Sequence, residues 1–503
     1  MRTLLSVVAA GALLALSAGP TFAQARNASP SRPPATSADW PVFGGDVAHT
    51  NVNPAPSPMN ASNAASLVRR QITVDGIIDA SVIYLKGVTV GGSAHDTLFA
   101  TTRYGETMAV DVKSGAILWK FDAPGFDATA TPREITNTTP VADPNRQSIY
   151  TATSDGKVVK LSIANGSAQW STSITKLAQR EKIASPLTYY QGHIFAATAG
   201  YVGDAPPYQG HIVLLDAGSG QMQHVWNSLC SDRHEIIDPT SCTATRSAIW
   251  GRAGVVIDPA NGHLFVSTGN GPWDGQTSWG DATIELNENA TEILGNWTTT
   301  NNEELQRRDL DIGSTSPVLL GDGYIAQGGK DGTIRLLTLD VLKGTAPHRG
   351  GELQVVETPS KAQLLTAPAV LKVNGTTWMF AADRGATAAW TFGADHQLKE
   401  AWKDAKGGTS PTIAGGLLFV YDPGATGGIG AGRAGAAGAP AAPPMGALRV
   451  YEATTGKLVA TLECGAGHWN SPIVADGRVI LPEGSANNRD TAAKGTINVW
   501  TLP

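Results

Sequence analysis

The chain has 503 residues, with 37 Lys and Arg against 43 Asp and Glu, for a net charge of −6. No run of basic residues stands out, which argues against nucleic acid or an anionic membrane surface as a partner. Charged residues make up only 16% of the chain and there are 57 glycines, the composition of many short strands joined by tight turns.

In chain order, Arg2 precedes an apolar run from Leu4 to Leu16, Pro20 breaks it, and Ala23-Gln24-Ala25 offers a cleavage site. This pattern predicts a secretory signal peptide over 1–25. The run is shorter than the roughly 20 apolar residues of a membrane span. It does not end in Cys, which disfavours a lipid anchor, and no later stretch is apolar enough to cross a bilayer. The expected location is therefore periplasmic or secreted. Residues 26–39 are rich in Pro, Ser and Ala and read as a disordered linker. The segment 424–444 is rich in Gly, Ala and Pro and reads as a flexible loop insertion. In an oxidising compartment Cys230 and Cys242 are expected to staple a polar loop. Zinc, the rival reading, lacks the ligand clusters it needs. Cys464 reads as a buried free thiol.

The remaining chain repeats itself. The clearest copy of one phrase runs from Ala109 to Trp119: an apolar strand ends at Asp111, Ser114-Gly115 makes a turn, and a second apolar strand ends at Trp119. Glycine supplies the positive φ that such a hairpin turn requires. Ser162, Asn165, Gly166 and Trp170 repeat the spacing. Asp216, Ser219 and Gly220 do so with Trp226 two positions late, while Asp340 with Gly344 and Glu452 with Gly456 keep the turn and lose the Trp. Interleaved with these are strand starts at Ser81-Val82, Thr139-Pro140, Ser185-Pro186, Gly254-Val255, Ser316-Pro317, Ala367-Pro368, Ser410-Pro411 and Ser471-Pro472. Proline is tolerated at the first residue of a strand. Eight starts at this spacing predict an all-β, eight-bladed propeller of four-stranded blades over 40–503, with seven blades as the alternative. The last strand, Gly495 to Leu502, can close the ring on an N-terminal strand.

The hairpin phrase resembles the repeat of the pyrroloquinoline quinone (PQQ) dehydrogenases and their non-enzymatic relatives, and Trp40-Pro-Val-Phe-Gly-Gly-Asp-Val-Ala-His49-Thr50 resembles their opening phrase. The similarity runs from Trp40 onward. The same propeller occurs in alcohol dehydrogenases, in polyvinyl alcohol dehydrogenases and in the scaffold lipoprotein of outer-membrane protein assembly. The blocks Ser247-Ala-Ile-Trp250-Gly251 and Ser267-Thr268-Gly269-Asn270 resemble the middle of quinoprotein alcohol dehydrogenases. The resemblance implies Trp250 as the aromatic floor under the quinone and Asn270 as a calcium ligand. Gly328-Gly-Lys330-Asp-Gly332 resembles a phrase whose cation reaches the quinone oxygens, which implies that role for Lys330.

The chain also departs from the pattern. Asn137-Thr138-Thr139-Pro140 stands where two adjacent cysteines are usual, Tyr201 where a metal-binding carboxylate is usual, and Gln306 where the catalytic Asp is usual. Asp309 and Asp311 lie close to Gln306, and Asp309 is the expected general base. Their other reading is as turn-capping residues, and Glu303, Glu304, Arg307 and Arg308 read as a solvated charged face.

Two functions follow from the resemblance. One is an exported PQQ-dependent dehydrogenase of alcohols or hydroxylated polymers, with calcium near Asn270. It would pass electrons to a separate acceptor, because the chain has no C-x-x-C-H phrase for covalent haem. The alternative is a propeller without cofactor that binds a polymer or an envelope protein as a scaffold. The first requires Trp250, Asn270, Lys330 and Asp309, which lie in different repeats, to meet at the propeller axis.

Overall fold

A computed structural model describes residues 38–124, 134–201, 205–424, 445–488 and 490–503. The expected signal peptide, all of the linker but its last two residues and all of the 424–444 insertion but Gly424 lie outside the described residues. The described chain folds into successive antiparallel sheets whose first strands are Ile83–Val90, Val141–Ala142, Thr188–Tyr190, Val256–Ile257, Val318–Gly321, Ala369–Val373, Thr412–Ala414 and Ile473–Ala475. Each begins directly after an expected strand start or one residue beyond it. The protein is an eight-bladed β-propeller, and the seven-bladed alternative does not hold.

First strands touch between blades 2 and 3 and from blade 5 round to blade 8, as strands lining an axis do. The last blade is completed by Val68–Asp75, which pairs antiparallel with Lys494–Thr501 from Val68 opposite Thr501 to Asp75 opposite Lys494. A strand from near the start of the described chain thus closes the ring on its last strand. It is the outer strand of that blade, so the ring is held shut by pairing between the two ends of the described chain.

A single four-stranded blade cannot bury both of its faces, and the packing follows from that. Each apolar cluster draws on two adjacent blades. Phe99, Ala109 and Trp119 of blade 1 pack with Ile149, Val159 and Leu161 of blade 2. At the seam, Val82, Leu98 and Val110 of blade 1 pack with Ile480 and Ile497 of blade 8. The hairpin phrase serves these interfaces directly. Trp119 donates its indole N–H to the Ile163 carbonyl of the next blade at 2.8 Å. Its ring lies against Gly166, where an added Cβ would sit 2.5 Å from it. Trp170 repeats the arrangement on Gly220, and Trp402 on Gly456. The turn glycine is therefore required twice, for its positive φ of 72° at Gly166 and for the Trp of the preceding blade.

One expected hairpin differs. Asp340 lies in a short helix, Leu339–Leu342, because Leu342 turns inward to pack beside Trp297 and Leu337. The charged face around Glu303 and Arg308 is a helix as well, Asn302–Arg308, with acidic residues in its first turn and basic residues in its last, as the helix dipole favours.

The opening phrase crosses the ring. Trp40 exchanges backbone bonds with Tyr84 of blade 1, and Ala142 of blade 2 donates to the Pro41 carbonyl. His49 bonds Thr188 and the Val255 carbonyl at blades 3 and 4, Thr50 accepts from Val370 of blade 6, and Asn51 accepts from Ile413 of blade 7. So short a segment reaches so many first strands only by spanning the axis. It continues past the turns between first and second strands, where Ser57 and Pro58 approach Gly415 and Gly477. The opposite face carries the connections into each blade and the loops between second and third strands.

Candidate functional site

That opposite face gathers polar residues on short, rigid connections. Trp250 lies on the connection into blade 4, Asn270 on the loop between the second and third strands of blade 4, Asp309 and Asp311 on the connection into blade 5, and Lys330 on the loop after Tyr324–Gly328. They meet. The Lys330 Nζ lies 2.7 Å from Asp309 Oδ1 and 2.5 Å from Asp311 Oδ1. It also stands 5.1 Å from the centroid of the Trp250 ring. Trp250 donates its indole N–H to Asp311 Oδ2 at 3.2 Å, and Asn270 donates Nδ2–H to Asp309 Oδ1 at 2.6 Å.

Backbone details hold this contact. Asp309 ends the Asn302–Arg308 helix in the left-handed conformation, φ 55°, which Asp adopts more readily than most residues. Gly269 lets its loop close on the site, since a Cβ there would stand 3.1 Å from Asp311 Oδ2 and 3.2 Å from the Trp250 indole nitrogen. Asp309 is therefore both a capping residue and a member of the cluster.

The cluster's electrostatics follow its burial. Burial raises the Asp311 carboxyl above the ordinary range against the pull of Lys330. Burial works against the Lys330 ammonium too, but Asp311 and Asp309 outweigh it and hold Lys330 above its ordinary range. Behind them Asp281 is pushed well above the usual carboxylate range, by burial first and by the charge of Asp311 second. Asp309 is the solvent-facing member, its side chain 66% exposed.

A second group adjoins the first and was not anticipated from the sequence. The Trp469 ring meets Trp250 at 6.5 Å and 72°, edge to face. Arg252 lies over Trp469 at 5.0 Å and donates to the Ala184 carbonyl at 3.1 Å. Burial pushes Arg252 down to about 10, and its second terminal nitrogen has no hydrogen-bond partner among the described residues. Asp79, fully buried, accepts from His468 Nδ1 at 2.9 Å and from Asn137 Nδ2 at 3.1 Å. Lys182 donates to Asn137 Oδ1 at 2.9 Å. A signal for these residues existed: Asp79, Asn137, Lys182, Arg252 and His468 all stand two or three residues before an expected strand start, the position that faces the axis.

Two residues stay outside the cluster. The Tyr201 hydroxyl donates to the carbonyls of Ser154 and Ala178 at 2.8 Å each, between blades. Gln306 lies in the Asn302–Arg308 helix, without a side-chain hydrogen bond to the cluster among the described residues. On the connection that leads to Trp250, Cys230 and Cys242 are bonded, with Cα atoms 6.2 Å apart, and Cys464 is a buried free thiol.

Comparison with known proteins agrees with this architecture. A family model described as outer membrane protein assembly factor BamB matches residues 64–228. A polyvinylalcohol dehydrogenase from Pseudomonas sp is 25% identical over 276 residues, which cover 49% of this chain and 42% of that protein. The match thus spans less than half the length of that relative. The crystal structure of quinohemoprotein alcohol dehydrogenase from Comamonas testosteroni superposes with a TM-score of 0.65 at 15% identity, covering 92% of this chain and 80% of the other. BamB from Moraxella catarrhalis superposes at 0.51 and 13% identity, over 86% and 98%. The chain is an eight-bladed propeller that resembles these proteins, and the family model matches it over residues 64–228. At these identities the solved structures establish the fold, and a dehydrogenase and an assembly factor share it.

Proposed function

We propose that the axial cluster binds a flat quinone of the PQQ class and that the protein oxidises alcohols or hydroxylated polymers, passing electrons to a separate acceptor outside the cytoplasm. The observation that carries this reading is the meeting of Trp250, Lys330, Asp309 and Asn270 at one axial point from two blades. A purely structural Trp and a surface Lys have no reason to converge there. The residues fit the quinone chemically. Trp250 offers an aromatic surface for stacking. Lys330, and Arg252 with its uncommitted nitrogen, offer cations to a ligand that bears carboxylates and gains negative charge on reduction.

When bound, the quinone supplies the hydride acceptor. The chain's own part is to orient and to move protons. Lys330 and Asn270 both bond Asp309 Oδ1, which fixes the carboxylate at the solvent-facing edge of the cluster and leaves Oδ2 to take the proton of the substrate hydroxyl. Calcium fits less well. Asn270 Oδ1 is a buried oxygen without a hydrogen-bond partner among the described residues, but Lys330 already lies between the two aspartates. Among the described residues no group of three His, Cys, Asp or Glu side chains is placed to hold a metal ion. The positive charge of the site is therefore assigned to Lys330, and no step runs through a metal.

A second reading, a cofactor-free scaffold that binds an envelope protein or a polymer, is supported by the assembly-factor match over residues 64–228. One experiment separates the two. Purified protein is titrated with PQQ, with and without calcium, while the quinone spectrum and tryptophan fluorescence are recorded. Dye reduction with polyvinyl alcohol is then assayed. Saturable binding that weakens tenfold to a hundredfold in Trp250→Ala, on the order of 1–3 kcal/mol of stacking, is the expected outcome. Absence of binding to the wild type would leave the scaffold as the better reading.

A further inference from the structure

We propose that a groove on the rim of blade 4 is a holding subsite for a neutral hydroxylated chain. That the held chain is a substrate rests on the dehydrogenase reading; the binding itself does not. The groove has a volume of about 370 Å³, within the roughly 300–1,000 Å³ of ligand-binding clefts. Trp226, on the outer strand of blade 3, and Trp279 of blade 4 lie deepest in it, each only 2% exposed. Ser231 is buried beside them, and Gln276, Thr291 and Thr345 stand exposed at its mouth.

The walls are built in advance. The Cys230–Cys242 bond staples the connection that carries Ser231. Trp279 donates its indole N–H to Ser231 Oγ at 2.8 Å, and the Ser231 backbone N–H donates to the Thr277 carbonyl at 3.0 Å. Asp274 Oδ1 accepts the backbone N–H groups of Gln276, Thr277 and Ser278 at 2.8, 2.9 and 2.8 Å, which fixes the turn that presents Gln276. Asn296 does the same for Thr345: its Nδ2 donates to the carbonyls of Gly344 and Ala346 at 3.1 and 2.9 Å.

The chemistry of the lining selects the ligand. Among the described residues no Asp, Glu, Lys or Arg lines the groove, and His234 is its one titratable group. A charged ligand would find no counter-charge there. Hydroxyls and an amide can both donate and accept, and the indoles offer apolar surface to CH groups. The Trp226 indole N–H is buried without a hydrogen-bond partner among the described residues. A donor in that state favours a ligand that brings an acceptor oxygen. A chain of alternating CH₂ and CHOH units, or of neutral sugar rings, supplies both the CH surface and the oxygens.

The chain itself ties this groove to the axial cluster. The loop between the second and third strands of blade 4 carries Asn270 and then Gln276 and Trp279, and the connection into that blade carries Ser231 and then Trp250. A polymer anchored on these two segments presents its remaining hydroxyls to the cluster at a raised effective concentration.

The test uses the full chain without cofactor, so its outcome does not depend on quinone binding. Polyvinyl alcohol oligomers, a neutral maltooligosaccharide and polyethylene glycol of equal length are titrated by calorimetry. Saturable binding of a hydroxylated chain and none of polyethylene glycol is expected, and the tighter of the first two names the source of the chain. Affinity should be the same at about 50 and about 500 mM NaCl, because the lining is uncharged. Gln276→Ala should weaken binding by about threefold to tenfold, the worth of one hydrogen bond, and Thr345→Trp, which fills the groove, by at least about tenfold. In the wild type, amide hydrogen exchange over 274–279 and 343–349 should slow when the chain binds, a readout that needs no variant. Equal binding of polyethylene glycol, affinity that falls with salt, affinity that both variants leave unchanged, or protection at the axis alone overturns the proposal. So does a failure of both hydroxylated chains to bind, which leaves the quinone titration to decide the dehydrogenase reading separately.

Discussion

Replacing Lys330 by Met keeps most of the unbranched side chain and removes the ammonium shared by Asp309 and Asp311. The two aspartates respond differently, because the Asp309 side chain is 66% exposed and that of Asp311 only 2%. Water screens the loss at Asp309, where the pair is worth at most about 1 kcal/mol. Asp311 is left as an uncompensated buried charge, a defect of about 3–5 kcal/mol. It can escape by taking a proton. For a carboxyl with an unfolded pKa of about 3.9, neutralisation near pH 7 costs about 4 kcal/mol and about 1.4 less for each unit of pH below that. The sign follows from the direction of the shift. Burial already raises Asp311, and loss of Lys330 raises it further. A group raised in the folded state supports folding at low pH and loses that support as pH rises through its folded pKa. The variant's deficit should therefore be largest near neutrality and shrink by about 3 kcal/mol between about pH 7 and about pH 5. Urea denaturation of both proteins at the two pH values measures it. A deficit under about 0.5 kcal/mol, or one that does not change with pH, would refute the view that Lys330 neutralises a buried carboxylate.

Other outcomes follow from the same geometry. Asp309→Asn should retain PQQ binding and lose at least about a hundredfold in kcat, since the amide keeps the contacts and loses the base; equal losses in binding and turnover would point to a positioning role. Gly166→Ala should destabilise by about 2–4 kcal/mol, combining left-handed strain with a clash against Trp119. Gly192→Ala, with the same sign of φ and nothing within 4 Å of the added Cβ, should show only the strain of about 1–2 kcal/mol. Equal melting shifts for the two would contradict the Trp–Gly packing. Changing both Cys230 and Cys242 to Ser opens a loop of 12 residues' separation and should cost about 3 kcal/mol, read as a lower denaturation midpoint with PQQ binding intact.

The blades were legible because a propeller repeats its local chemistry. A polar residue, a small residue and Gly mark the recurring hairpin, with Trp in its fuller copies, and Pro or a small residue marks each inner strand, so the period and eight strand starts could be read along the chain. Where a local rule was overridden, the cause was packing at a distance. Asp340 and Gly344 spell a hairpin, but Leu342 is fully buried beside Trp297 and draws the segment into a helix. Trp119 could be assigned to a strand end, while its true partner, Gly166, belongs to the next blade.

The site divides in the same way. The sequence by itself determined the repeat, eight strand starts and, through resemblance, four residues worth watching, because these depend on neighbours within a few positions; the structure decided for eight blades over seven. Only the tertiary structure decided that Lys330 sits between Asp309 and Asp311, that Tyr201 turns away to Ser154 and Ala178, and that Trp469, Arg252, His468 and Asp79 share the axis with Trp250. These contacts join connections that lie up to about four hundred residues apart, such as Asp79 with His468. Closure of the ring brings them within hydrogen-bond distance, and no local pattern encodes which polar side chain will face which across the axis.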